Sequence, residues 1–176
     1  MQEVKITSAD ITDEQLKGLY ETAFPDDEKI PWGHLMRLID EMQLDFTACY
    51  EGTTLIGFTI VYPHKPFNWF WYFAVKEELR GRGFGQRMLT RLVERYRGQN
   101  CVLDMESPEQ KDCDNVEQRS RRRAFYLRNG FRDTHLFKRY DDIEMTIMVM
   151  GEHEFTMQDW NDITADLLQH WNWNEK

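Results

Sequence analysis

The run Arg80-Gly81-Arg82-Gly83-Phe84-Gly85 constrains this chain most, because the hydrophobic pattern on its two sides has two different periods. Before it, Asn68 to Val75 is aromatic or aliphatic at nearly every position, as expected of a strand buried on both faces. After it, Phe84, Met88, Leu89, Leu92, Val93 and Tyr96 recur at spacings of three and four, the stripe of an amphipathic helix. The glycines allow a sharp turn and a close backbone approach, and the first N–H groups of the helix point at whatever lies there. Strand, glycine turn and helix start therefore predict an anion cradle suited to a pyrophosphate. Gly-x-Gly spacings are common, so this placement, and not the spacing, carries the expectation.

Charge supports it. Arg80, Arg82, Arg87, Arg91, Arg95 and Arg97 stand against Glu94 alone between residues 80 and 97, whereas the whole chain carries −9. Arginine forks suit a polyphosphate, although most charge runs of this kind are solvated helix faces. Residues 1 to 60 hold twelve acids and four bases, a mild preference for cationic partners. The net acidity, with a pI near 5.1, speaks against general nucleic-acid binding.

With 176 residues and no Pro/Gly/Ser-rich linker or repeat, one domain spanning 1–176 is expected, with its core at about 4–150 and a helical addition at about 155–173. The opening residues lack a signal-peptide pattern and the longest apolar run, Trp69 to Val75, is too short for a bilayer, so a cytoplasmic protein without membrane attachment is expected. Cys49, Cys101 and Cys113 have no metal-ligand spacing, His34 and His64 are isolated, and no metal is expected.

Thr12-Asp13-Glu14-Gln15 reads as a capping box before Leu16, Leu19, Tyr20, Ala23 and Phe24, a helix stopped by Pro25. Leu35, Leu38, Ile39 and Met42 predict a second helix. Phe46 to Tyr50 and Ile56 to Tyr62 alternate around Glu51-Gly52-Thr53 as an antiparallel hairpin. Cys101 to Met105, reached from the aromatic strand through a helix, should lie parallel to it. A helix through Val116, Ala124 and Leu127 ends at Asn129-Gly130, and a strand follows from Phe131. Ile143, Met145, Ile147 and Val149 alternate with Glu144, Thr146 and Met148 as a strand with one face in the core. Thr156-x-x-Asp159 caps a helix bearing Trp160, Ile163, Leu167 and Trp171.

This order, with Arg80-x-x-Gly83-x-Gly85 and Ala124-Phe125-Tyr126-Leu127-Arg128-Asn129-Gly130-Phe131, resembles the GCN5-related N-acetyltransferases over roughly residues 4 to 150. The resemblance implies an α/β single domain, with a mixed, mostly antiparallel sheet, a splayed central parallel strand pair and flanking helices. It implies acetyl-CoA as co-substrate and transfer of the acetyl group to a primary amine by direct attack in a ternary complex. Residue by residue, it implies that backbone groups of Phe73 and Val75, at a bulge in the aromatic strand, hold the pantetheine arm and polarise the thioester carbonyl. Arg80, Arg82, Gly83, Phe84 and Gly85 would hold the pyrophosphate, and Tyr126 would protonate the departing thiolate. Where many members have an asparagine seven residues before that tyrosine, this chain has Arg119 in the series Arg119-Ser120-Arg121-Arg122-Arg123, and one of these arginines would reach the 3′-phosphate instead.

An alkyl ammonium must lose a proton before it attacks, since its pKa is about 10.4. Glu106, at the end of the strand parallel to the aromatic one, is the first candidate base and Glu28 the second, with Asp104 a weaker alternative on the same strand. Trp32, Trp69, Trp71 and Tyr72 would wall the acceptor site or fill the core. The acceptor is a small-molecule or peptide amine: antibiotics, polyamines, amino acids and protein N-termini all stay open. A homodimer through the last strand or the tryptophan-bearing helix is a further expectation. Two other functions compete: a catalytically inactive acyl-CoA-binding regulatory domain, and a nucleotide-binding module using the glycine loop alone. No Lys-Ser/Thr follows the glycines, which counts against the last.

Overall fold

A computed structural model describes residues 1–111 and 113–170. Among the described residues, seven strands form one sheet: β1 (Gln2–Lys5), β2 (Asp45–Glu51), β3 (Thr54–Tyr62), β4 (Phe67–Val75), β5 (Asn100–Glu106), β6 (Arg132–Tyr140) and β7 (Ile143–Met150). The α-helices of the described residues flank them: α1 (Glu14–Ala23), α2 (Trp32–Glu41), α3 (Phe84–Arg95), α4 (Val116–Leu127) and α5 (Met157–His170). The sheet order is β1-β2-β3-β4-β5-β7-β6, antiparallel throughout except for β4 and β5. The element order matches the periodicities along the chain, and the parallel pair is where the intervening helix requires it. The expected position of Trp171, and with it the end of the helical addition, lies outside the described residues.

Two layers cover the sheet. Leu16, Leu19 and Tyr20 of α1, Leu35, Leu38 and Ile39 of α2, and Trp160, Ile163 and Leu167 of α5 pack with Phe46, Phe58, Phe67, Trp69 and Val102 on one face. Leu89 and Leu92 of α3, with Phe125 and Tyr126 of α4, pack with Phe70, Cys101, Leu103 and Met105 on the other. The sheet thus has an α1/α2/α5 face and an α3/α4 face.

Three local outcomes refine the sequence expectations. The first cap of α1 is Asp13, whose carboxylate accepts from the N–H groups of Gln15 and Leu16, so the helix starts one residue after the Thr12 expectation. Asp159 does reach back to the Thr156 N–H at 2.7 Å as expected. The strand β7 is buried on both faces, including Thr146 and Met148, because it lies between β5 and β6 under the α4 layer instead of at an edge.

The sheet parts at its centre. β4 and β5 pair only over Phe67↔Asn100, Asn68↔Cys101 and Trp69↔Val102, after which no register joins them among the described residues. One step further along β4, the register to β3 slips: Val61 faces Phe70 and Ile60 faces Tyr72, so the bulged residue is Trp71 and not Phe73 or Val75, which the resemblance puts at the bulge and which pair regularly with Thr59 and Gly57. A bulge increases local twist and bends its strand, and this one lies at the point where β4 leaves β5. It also places Trp69, Trp71, Tyr72 and Ala74 together on the α1/α2/α5 face, with Phe70 and Phe73 on the other.

Candidate active site

The glycine turn opens beside the parting strands. Gly83 caps α3 with φ +79° and no side-chain cap, so among the described residues the first N–H groups of the helix have no side chain capping them. Gly81 has φ +75°, and a Cβ on either glycine would meet nothing within 4 Å. At Gly85 a Cβ would stand 3.7 Å from Val75 Cγ2, where the turn passes closest to β4. Arg80 Nε donates to the Val75 carbonyl at 3.3 Å, tying the loop to the strand end. Arg80, Arg82 and Gly83 are exposed, with Phe84 and Gly85 half-buried behind them. Open space, uncapped amides and two arginines fit a diphosphate.

The remaining arginines of this segment divide. Arg87 pairs with Glu51 at 3.1 Å near the cradle. Arg95, at the opposite end of α3, is held by Asp45 and Glu3, each at 3.1 Å, in a network with the Tyr96 hydroxyl and Thr47. Its place is structural, eleven residues along a helix whose amino end faces the cradle.

Glu106 and Arg119 meet each other. Arg119 Nη2 lies 2.8 Å from Glu106 Oε1, and Arg122 Nη1 lies 3.4 Å from Glu106 Oε2. Arg119 also donates to the Ser107 carbonyl at 3.1 Å and to Gln110 Oε1 at 2.9 Å, with its side chain only 5% exposed. Sequence reasoning sends these two residues to different tasks, base and phosphate ligand; the structure joins them in a clamp between the end of β5 and α4. Of the neighbouring arginines, Arg123 is 2.6 Å from Asp133, whereas Arg121 is largely exposed on the helix surface.

Tyr126 lies on the α3/α4 face against Phe125 and Phe131. Burial raises its pKa, an effect that Asp104 reinforces and Arg122 opposes, so the phenol keeps its proton at neutral pH.

On the α1/α2/α5 face, a side-chain bond bridges the parting: Trp69 Nε1 donates to Asp104 Oδ1 at 2.9 Å. Trp69 stacks on Trp71 at 5.0 Å between centroids, and Trp71 on Tyr72 at 5.0 Å. Tyr72 donates to the Glu28 carbonyl at 2.7 Å, which fixes the α1–α2 connection over this face. Trp32, by contrast, packs against Tyr20 and Phe46 in the core. Asp104 Oδ2 holds Lys138 Nζ at 3.0 Å, with both side chains about nine-tenths buried. The ammonium lies 3.6 Å from the Trp160 ring centroid and 3.8 Å from that of Tyr140. Burial pulls the Lys138 pKa down to about 8, against the opposing pull of Asp104 and Glu28.

Lys138, Tyr140 and Trp160 are the residues that sequence reasoning passes over. Lys138 in Phe137-Lys138-Arg139 looks like a solvated edge, and only the alternation of Leu136, Lys138 and Tyr140 places them on one face.

The sequence matches the family profile described as an acetyltransferase (GNAT) domain over residues 43–133, which includes the parting strands and the cradle. The chain belongs to the GNAT acetyltransferase family. The fold agrees with a GNAT-family protein from Bacteroides thetaiotaomicron at 26% identity and TM-score 0.76, over 95% of this chain and 96% of that one. The ribosomal-protein-S18-alanine N-acetyltransferase of Escherichia coli superposes with TM-score 0.65 at 15% identity, over 88% and 99%. The PaiA N-acetyltransferase of Thermoplasma acidophilum, solved with coenzyme A, does so with TM-score 0.56 at 19% identity, over 86% and 98%. None of the curated proteins matches in sequence. Family and fold are thereby fixed, and no described helix of this GNAT protein is long and apolar enough to cross a membrane.

Proposed function

We propose that this GNAT protein is an N-acetyltransferase that moves an acetyl group from acetyl-CoA to a primary amine by direct attack in a ternary complex. The observation that carries this is the parting of β4 from β5 with the uncapped amino end of α3 beside it. The diphosphate sits on the α3 amides, flanked by Arg80 and Arg82, with Gly83, Phe84 and Gly85 forming the turn. The pantetheine arm lies in the gap, where backbone groups of Phe73 and Val75 lack a β5 partner and polarise the thioester carbonyl. The CoA complex of the Thermoplasma relative supports the choice of ligand.

Tyr126 protonates the leaving thiolate from the α3/α4 side. The amine arrives from the other side, under the α1–α2 connection that bears Glu28. Two arginines occupy Glu106, which favours a structural task for it and moves the search for the base to Glu28 and Asp104. Arg119 is likewise committed to Glu106, so exposed Arg121 is the better placed of the two for a 3′-phosphate.

Calorimetry with acetyl-CoA, followed by free-thiol release with polyamines, amino acids, aminoglycosides and peptides with free N-termini, tests the proposal. Tyr126→Phe should bind acetyl-CoA normally and release thiol roughly 100-fold more slowly. Binding by the wild type without thiol release from any amine would instead leave an acyl-CoA-binding regulatory domain.

A further inference from the structure

The parting strands give the site two chemically different sides. Tyr126 is on one; the other holds a chain of polar side chains that runs from the point of separation to the surface. It begins at Trp69 Nε1, passes through Asp104 to Lys138 Nζ, and continues to the Tyr140 hydroxyl, which Nζ contacts. Tyr140 is 47% exposed, whereas the Lys138 side chain is 8% exposed. A buried lysine held by Asp104 beside the parting strands and in contact with the half-exposed Tyr140 has the layout of a proton path. We propose that Lys138, aligned by Asp104 and connected to solvent through Tyr140, takes the proton that the acceptor amine must lose before it attacks. The inference rests on the acetyl-transfer reading above.

The groups around Nζ act in opposite directions. Asp104 from β5 and Glu28 from the α1–α2 connection favour the ammonium. Trp69 from β4, Trp160 from α5 and Tyr140 on the same strand supply ring surface and exclude water. Exclusion wins, and it places the lysine near the pH at which a general base works best. Asp104 is a positioning residue. It fixes Nζ and stabilises the ammonium once formed, the task a carboxylate performs behind an imidazole base.

The protons balance. The acceptor ammonium gives one proton to neutral Nζ. The freed lone pair then forms the C–N bond to the acetyl carbon as the C–S pair departs with sulfur. The thiolate takes the Tyr126 proton, and the second proton shed by nitrogen restores the phenol. Lys138 passes its proton to water along Tyr140, so each turnover releases one proton.

Carbon-13 NMR of lysine-labelled whole protein gives a readout that needs no acceptor. One lysine signal, absent from Lys138→Arg, should titrate near pH 8, and Asp104→Asn should shift its midpoint lower. A midpoint at the ordinary lysine value of about 10.4 overturns the proposal. Lys138→Arg keeps the charge and the partner of Asp104, but its guanidinium cannot be deprotonated. With the fastest amine of the panel above, that variant should bind acetyl-CoA as tightly as wild type and lose on the order of 100-fold or more in kcat. A wild-type rate would reduce Lys138 to a structural cation and refute the proposal. Asp104→Asn should move the acid limb of kcat/KM below pH 8, and an unmoved limb would refute its positioning task. Failure of the wild type to bind acetyl-CoA is a separate outcome, which removes the acetyl-transfer reading itself.

Discussion

Gly83 separates the cost of a backbone conformation from the cost of a charge. Its φ of +79° is left-handed, and a Cβ there meets nothing within 4 Å, so alanine brings strain without a clash. The strain is about 1–2 kcal/mol, or roughly 3–6 °C in Tm for a chain of this size. Gly83→Glu brings the same strain, but its carboxylate sits at the positive end of α3 and recovers about 0.3–1 kcal/mol. Stability should therefore rank wild type, then Gly83→Glu, then Gly83→Ala. Affinity should rank differently. The alanine methyl leaves the α3 amides accessible, and Kd for CoA should stay within a few-fold. The glutamate places a like charge about 5 Å from a bound diphosphate, a repulsion of about 3 kcal/mol at an effective dielectric near 20, or roughly 100-fold in Kd. Thermal melts and calorimetry on the same three samples read both orders. Equal CoA affinity for the two variants would refute the assignment of the diphosphate to the α3 amides, whatever the melts show.

Glu106→Gln leaves the Arg119 charge uncompensated and should cost about 3 kcal/mol, read as a lowered Tm, while CoA affinity holds; an unchanged Tm with lost turnover would return Glu106 to the chemistry. Gly57→Ala would put its Cβ 2.1 Å from the Ala74 carbonyl oxygen, which belongs to the neighbouring strand and cannot turn aside. It should cost more than about 3 kcal/mol, seen as loss of folded protein by circular dichroism. Burial raises Cys49 from 9.0 to about 11, Cys101 from 9.0 to about 12 and Tyr20 from 10.0 to about 12. Their contribution is complete below the unfolded values and is lost as pH rises through the folded ones, so Tm should fall between about pH 9 and 12. Cys101→Ala should make that fall shallower, and an unchanged slope would show that the thiol is not the titrating group.

Local elements were legible because each announces itself by period or punctuation. Met88, Leu89 and Leu92 are the buried stripe of α3, and Gly130 closes α4 with φ +92°. Pairings set by short connections were legible too, as in β2–β3 and, through α3, β4 with β5. What could not be read was the lateral position of β7. Its alternation suits an edge strand, but β6 returns outside it, and that insertion buries Thr146 and Met148 and carries Lys138 across to Asp104. The candidate site divides along the same line. Its α3/α4 side and cradle follow from sequential motifs, Arg80 to Gly85 and Ala124 to Phe131. Its α1/α2/α5 side is assembled from β4, β5, β6 and α5, whose members are up to 91 residues apart between Trp69 and Trp160. No spacing rule reaches across such an interval.

The two acidic candidates on β5 show how register, and not residue type, assigns a role. Asp104 and Glu106 are two apart and project to the same face. Glu106 is at the strand end, within reach of α4, and two guanidiniums take its oxygens. Asp104 is one turn of the pleat earlier, two residues past the last pair that joins β5 to β4, where the Trp69 indole and Lys138 take its oxygens. Shifting the bulge by one residue to Phe70 would turn Trp71 to the opposite face, and the aromatic wall beside Asp104 would lose its middle ring. The bulge thus does two things at once. It bends β4 away from β5, and it keeps Trp69, Trp71 and Tyr72 together on the α1/α2/α5 face. Deleting Trp71 should restore a regular β3–β4 register and abolish thiol release while leaving the α3 cradle intact. Retained turnover in that variant would mean that the parting of the strands, and the two-sided chemistry built on it, does not depend on the bulge.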